Sequence, residues 1–154
     1  IKLYDQEVFG ANKFLAPHKR NVGLVVQEKA LFPHLSIAEN IGFGVRKSPD
    51  NKVIVNELLE LFRIENLKSK YPHEISGGEQ QRVAFARSMA PSPKFLMLDE
   101  PFSALDEKLK ETLYNDLLEI FLKKNFSVLL VTHDENEAKI MTDKQIKILD
   151  GRIY

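Results

Sequence analysis

Asp99 and Glu100 stand side by side directly after Phe95-Leu96-Met97-Leu98, a short run of wholly apolar residues. A carboxylate pair leaving a buried strand suits a metal–phosphate site. Magnesium prefers hard oxygen ligands and keeps several waters, so one carboxylate suffices to hold it. The second is then free to orient or deprotonate an attacking water. Taken alone, the pair reads equally well as a solvated acidic turn, because carboxylates commonly occupy loops.

A second stretch, Ser76-Gly77-Gly78-Glu79-Gln80-Gln81-Arg82, has the composition of a helix start. Helix N-termini offer unpaired N–H groups and the positive end of the macrodipole, and glycines let a phosphate approach the backbone. Ser76 and Glu79 also have capping-box spacing, which needs no ligand. By itself that plainer reading is the stronger one, although a capped N-terminus can still bind an anion. His133 follows an apolar run and is in isolation an ordinary loop histidine; in a phosphate site it would donate to the terminal phosphate and help position water. Gln27, commonplace after a strand, could reach a metal or a water through its amide.

These residues need elements to position them. Val22 to Val26 reads as a buried strand ending at Gln27. Ser36-Ile37-Ala38-Glu39 has capping-box spacing, and Val53 to Phe62 carries apolar residues at helical spacing. Tyr71-Pro72 breaks that pattern, and the helix opened by Ser76 runs to about Ala90, with Pro91 as a stop. Phe95 to Leu98 suits a strand covered on both faces, as in parallel sheets. Leu109, Leu113, Leu117, Ile120 and Phe121 mark one face of a long helix. Ser127 to Val131 is another apolar strand, Glu135 to Met141 a short helix and Gln145 to Leu149 a final strand. Asp150-Gly151 signals a hairpin leading to Arg152-Ile153-Tyr154. Strand, helix, strand implies a crossover with parallel strands. Gln27, Asp99, Glu100 and His133 should then converge on one sheet edge, where ligands of open α/β sheets bind.

The 154 residues are enough for one domain with a core. Lys plus Arg equals Asp plus Glu at 22 each, so net charge points to neither nucleic acid nor an acidic membrane. The absence of cysteine excludes disulfides and thiolate metal sites, and the four histidines lack metal-ligand spacing. No apolar run approaches the roughly 20 residues that span a bilayer. Ile1 to Asp5 lacks the regions of a signal peptide and begins without Met, which reads as an internal start and a cytoplasmic location.

In combination these stretches resemble one family. Ile75-Ser76-Gly77-Gly78-Glu79-Gln80-Gln81-Arg82 resembles the signature motif of ABC ATPases, with Ile75 for the commoner Leu. Phe95 to Pro101 looks like their Walker B motif, Ser103-Ala104-Leu105-Asp106 like their D-loop, Val131-Thr132-His133-Asp134 like the switch histidine, and Val25-Val26-Gln27-Glu28 like the Q-loop. They occur in the family's order across essentially the whole chain. The resemblance implies an α/β, P-loop NTPase-like core with a mostly parallel sheet plus an α-helical subdomain. Residues 1–27 and 91–154 would belong to the core, and 28–90 to the helical part of a single ABC ATPase domain. It implies ATP and Mg2+ as ligands. Asp99 would bind magnesium, Glu100 would act as base or orient water, and His133 would contact the γ-phosphate. Gln27 would touch metal or water and sense the membrane subunit. Ser76, Gly77, Gly78 and Gln80 would bind ATP held by a second, head-to-tail ATP-binding subunit, with Asp106 working across that interface. Transmembrane permease subunits, indirectly a periplasmic or surface substrate-binding protein, and a place on the cytoplasmic face of the inner membrane are likewise implied.

The family's Walker A loop, Gly-x-x-x-x-Gly-Lys-Ser/Thr, has no match. In the nearest stretch, Gly42 to Ser48, Ile41 and Arg46 replace the two glycines, and it follows the Q-loop instead of preceding it. The expectation is a domain lacking its N-terminal part, inactive in this form. Gln27 to Ile41 resembles bacterial importer subunits. Tyr71-Pro72-His73-Glu74 and Ala90-Pro91 look similar to ferric-iron uptake ATPases, a pattern shared by polyamine, sulfate and molybdate importers. The alternatives are a non-catalytic module presenting Ser76 to a complete partner and a soluble ABC ATPase of DNA repair or translation. Chromosome-associated versions of the latter carry a long coiled-coil insertion where this chain has a compact helical segment.

Overall fold

The computed structural model describes residues 1–124 and 126–153. Two short antiparallel ribbons come first: β1 (Lys2–Leu3) with β2 (Gln6–Glu7), and β3 (Phe9–Gly10) with β4 (Lys13–Phe14). The apolar runs then form the central sheet. β5 (Val22–Val25), β6 (Phe95–Asp99) and β7 (Ser127–Val131) are all parallel, with β6 in the middle. Val25 lies beside Leu98, and Leu98 beside Leu130.

Helices fill the crossovers. α1 (Ile37–Gly42), α2 (Asn51–Leu61) and α3 (Gly77–Met89) lie between β5 and β6; α4 (Glu107–Lys124) joins β6 to β7. α5 (Glu135–Met141) follows β7, capped by the Asp134 carboxylate on the N–H groups of Asn136 and Glu137. Both expected capping boxes form: Ser36 with Glu39 on α1 and Ser76 with Glu79 on α3. One continuous core joins Ile37 and Ile41 of α1, Leu59 of α2, Phe85 of α3, Leu96 and Leu98 of β6, Phe102, and Leu113 and Leu117 of α4. Each such side chain stabilises the fold by roughly 1.5–3 kcal/mol of burial.

Two expectations change. β6 is buried on one face only: Leu96 and Leu98 enter the core, while Met97 stays 37% exposed, as do Leu24 (55%), Leu129 (45%) and Val131 (51%) beside it. Side chains alternate along a strand, and among the described residues the helices bury the Leu96 and Leu98 side. The final strand is shorter than read, only β8 (Ile148–Leu149), pairing with β9 (Arg152–Ile153). Its turn is as expected, with Asp150 and Gly151 at φ 49 and 75, the primed geometry favoured in hairpins. Tyr154 lies outside the described residues.

β5 passes so near the end of α3 that a side chain at Gly23 has no room. A Cβ there would lie 2.7 Å from the Ser88 carbonyl oxygen and 2.5 Å from Leu96 Cδ2. Gly23→Ala should therefore lower stability by about 1–3 kcal/mol in denaturant unfolding. Leu24→Ala, on the open face, should change it by only about 0.5 kcal/mol. Equal losses would refute the close approach as the controlling feature.

Candidate active site at the carboxyl edge of the sheet

The parallel register decides which residues meet. Gln27, Glu100 and Thr132 each stand two residues beyond the aligned positions Val25, Leu98 and Leu130. Neighbouring strands lie about 4.8 Å apart, so the three chain exits share one edge, with Glu100 between the others. Asp99 is the last residue of β6, exposed and opposite Val131.

Glu100 is held unusually. Its φ is 46, a left-handed conformation that costs a non-glycine residue about 1–3 kcal/mol. Its N–H donates to the Val131 carbonyl at 2.9 Å, and its own carbonyl accepts from Ser103 N–H at 3.3 Å and Ser103 Oγ at 3.0 Å. Two residues on, Phe102 is fully buried between Phe85 at 6.0 Å and, edge-on, Tyr114 at 4.8 Å. Anchored on both sides, the turn keeps its conformation. It aims the carboxylate at the loop after β7. Oε1 accepts the His133 N–H at 3.0 Å and lies 2.7 Å from His133 Nδ1.

The imidazole is otherwise open to solvent, its side chain 80% exposed. The hydrogen bond to Glu100, then the negative charge of Glu100, hold its pKa above the usual histidine value. Protonated, it presents Nε2–H outward as a donor to an anion. The Glu100 side chain keeps 22% of its surface exposed. Among the described residues neither Gln27 nor Asp99 uses its side chain in a hydrogen bond, and no group of three His, Cys, Asp or Glu could hold a metal ion. If magnesium binds here, the exposed Asp99 side chain would be its one protein carboxylate, since magnesium needs few protein carboxylates.

The α3 N-terminus is a separate feature. Ser76 Oγ accepts from Glu79 N–H at 3.3 Å, and Glu79 Oε2 accepts from Ser76 N–H at 2.8 Å and Oγ at 2.7 Å. Those bonds, the hydroxyl first, hold the Glu79 pKa below the usual carboxylate value. Gly77 is exposed, whereas Gly78 is buried under Leu109, whose Cδ2 would lie 2.3 Å from a Cβ. Gln80 donates its amide nitrogen to the carbonyls of Pro72 at 2.8 Å and Ile75 at 3.4 Å, which fixes the preceding loop and leaves only its amide oxygen for a ligand. Asp106 caps α4 through Leu109 N–H at 3.0 Å. Among the described residues none of these groups hydrogen-bonds to Glu100 or His133.

Sequence reading missed two sets of residues that support these sites. Arg87 donates to the carbonyls of Ala30 at 2.8 Å and Lys29 at 3.3 Å and lies over the Phe32 ring, clamping α3 to the chain beyond Gln27. Lys110 and Glu137 are buried together behind His133. Lys110 had a signal: it precedes Leu113, Tyr114 and Leu117 at helical spacing and so falls within the apolar face of α4.

The Glu100–His133 contact predicts a titration. In NMR pH titrations His133 should protonate at higher pH than a free histidine, and Glu100→Gln should bring its midpoint down. A group with a raised folded pKa adds stability below its unfolded value, about 6.5, and loses it as pH rises through the folded value. The stability difference between wild type and Glu100→Gln should accordingly shrink as the solution is made alkaline through that range. An unchanged His133 midpoint would refute the pairing.

Known proteins share this arrangement of sequence and fold. The family model for ABC transporters matches residues 2–103, about two thirds of the chain. The Fe(3+) ions import ATP-binding protein FbpC of Haemophilus influenzae (strain 86-028NP) is 40% identical over 99% of this chain and 45% of its own length. A spermidine/putrescine import ATP-binding protein, PotA of Ruegeria pomeroyi, is 41% identical over 96% of this chain and 42% of its own. The chain thus spans less than half the length of the curated relatives it matches. Among solved structures, the dimeric MJ0796, a bacterial ABC transporter cassette, superposes with a TM-score of 0.66 at 31% identity, covering 77% of this chain and 54% of that one. A parallel sheet with a carboxylate and a histidine joined at its carboxyl edge, a capped glycine-rich helix and the family match over residues 2–103 agree: the chain belongs to the ABC transporter family.

Proposed function

We propose that the chain forms part of the ATP-hydrolysing subunit of an ABC importer, with ferric iron as the first candidate cargo. The observation that carries this is the Glu100–His133 pair, 2.7 Å apart beside the exposed Asp99 carboxylate. Magnesium, when bound, would neutralise phosphate charge and order the terminal phosphate. Asp99 would hold it, and Gln27, at the neighbouring strand end, would contact the metal or the attacking water. Glu100 orients that water and takes its proton. His133 donates from Nε2 toward the γ-phosphate.

The α3 N-terminus serves a different ATP. Ser76, Gly77 and Gly78, with Gln80 holding their loop, present N–H groups and a hydroxyl to nucleotide bound by a second, head-to-tail subunit, and Asp106 lies at that interface. The dimeric form of MJ0796 supports this reading. In the same reading residues 28–90, which contain α1 to α3, form a helical subdomain beside a core built from 1–27 and 91–154. Gln27 relays the state of transmembrane permease subunits, which receive cargo from a periplasmic or surface binding protein. The subunit works at the cytoplasmic face of the inner membrane. Among the described residues no helix is long and apolar enough to cross a membrane.

The cargo follows the names of the relatives: ferric iron for the Haemophilus and Yersinia proteins, a polyamine for the Ruegeria protein. Two measurements on the full-length gene product test the reading. Phosphate release from ATP should fall by about 100-fold or more in Glu100→Gln, the range expected for loss of a general base. A wild type no faster than that variant would remove the role given to Glu100. Cells lacking the gene should lose uptake of labelled ferric iron and keep that of spermidine; the reverse result would assign the polyamine.

A further inference from the structure

Lys110 points into the protein from the apolar face of α4, its side chain 11% exposed. Its ammonium lies 3.5 Å from Glu137 Oε1, 3.5 Å from Glu107 Oε1 and 3.7 Å from Asp134 Oδ2. Burial disfavours the charge on Lys110, but Glu107, Glu137 and Asp134 outweigh it and hold its pKa above the ordinary lysine value. Glu137, on α5, is 2% exposed. Its second oxygen, Oε2, accepts a 2.6 Å hydrogen bond from Thr132 Oγ1. Thr132 Oγ1 in turn accepts the Asp134 N–H at 3.0 Å. Asp134 Oδ1 accepts from Asn136 N–H at 2.8 Å and Glu137 N–H at 3.3 Å. Both residues flanking His133 are therefore tied to one buried cation–carboxylate pair.

We propose that Lys110 and Glu137 are positioning residues for His133, fixing the 132–134 turn so that the imidazole and backbone N–H of His133 both meet Glu100 Oε1. The inference rests on the catalytic reading of Glu100 and His133 above. Lys110 and Glu137 bond to Asp134 and Thr132, not to Glu100, among the described residues, and act through the turn. A buried ion pair is a poor stabiliser compared with apolar residues of the same size, because both charges lose water. Geometry supplies the reason for keeping one here. The carboxylate directs one oxygen to α4 and the other to Thr132, a division of bonds that no apolar side chain can make. Tyr114 lies beside the pair; burial first, and then the charge of Glu137, push its pKa up, so it stays a neutral phenol.

The test separates positioning from stability. Lys110→Met alone strands the Glu137 carboxylate and can unfold the protein. The double variant Lys110→Met with Glu137→Leu removes both charges and fills the space. In the full-length gene product it should melt near the wild-type temperature. Without nucleotide, its His133 amide should exchange hydrogen at least about tenfold faster, while the Leu113 and Leu117 amides of α4 keep their rates. Its kcat for ATP should fall at least about tenfold at an unchanged KM, as expected when a reacting group is misplaced. Lys110→Arg with Glu137 in place should keep both the wild-type exchange rate and kcat. Unchanged His133 exchange in the double variant, or acceleration spread evenly through α4, would overturn the proposal. If the wild type itself hydrolyses no ATP, the catalytic reading fails, and the exchange rates alone decide whether the pair positions His133.

Discussion

Parallel pairing in a fixed register is the constraint on which the rest of this structure depends. Val25, Leu98 and Leu130 are aligned across β5, β6 and β7, so whatever each chain carries next is delivered to a common edge. A slip of one residue on β6 would turn Leu96 and Leu98 out of the core and Met97 into it. The apolar face that stabilises the sheet and the placement of Glu100 between Gln27 and Thr132 are thus set by the same hydrogen bonds. Parallel strands also require long crossovers. Here the crossovers carry the candidate groups, since α3 with its capped N-terminus lies in one and α4, capped by Asp106 and bearing Lys110, lies in the other.

The edge is organised around a strained residue. Glu100 adopts a left-handed conformation that bonds on both sides hold in place. Its N–H is taken by Val131, its carbonyl by Ser103, and Phe102 is locked between two aromatic rings. The result is a carboxylate on a rigid support facing a histidine on a loop. That loop is held from behind through Thr132 and Asp134 by bonds to the buried pair. Rigid supports on both sides are what proton transfer at a defined atom needs.

Two half-sites emerge. The sheet edge carries the joined Glu100 and His133 beside the exposed Asp99, while the α3 N-terminus carries N–H groups and the positive end of a helix dipole. No hydrogen bond joins them among the described residues. Arg87 links the second half-site to the first by holding the chain beyond Gln27. Displacement of α3 would therefore be felt at Lys29 and Ala30, both of which sit at positive φ.

Local chemistry was legible in the amino-acid sequence wherever a residue acts through its near neighbours. The capping boxes at Ser36 and Ser76, the apolar strands, the Asp150-Gly151 turn and the order of the motifs depend on spacing of a few residues, and spacing is what a sequence contains. The pairing of Glu100 with His133 could be expected only as convergence on an edge; the 2.7 Å contact depends on register and on a left-handed turn that the residue types do not announce. The open face of β6 was hidden because an apolar run reads alike whether one face or two are packed. Lys110, Glu137 and Thr132 were hidden for a related reason. Lys110 meets Glu137 across more than twenty residues of chain, and burial of a lysine among leucines acquires meaning only once α5 closes over it. Sequence by itself determined the family, the central strands, the main helices and the candidate groups. Tertiary structure alone decided which of those groups touch, because contact across strands and helices is set by packing and register, not by distance along the chain.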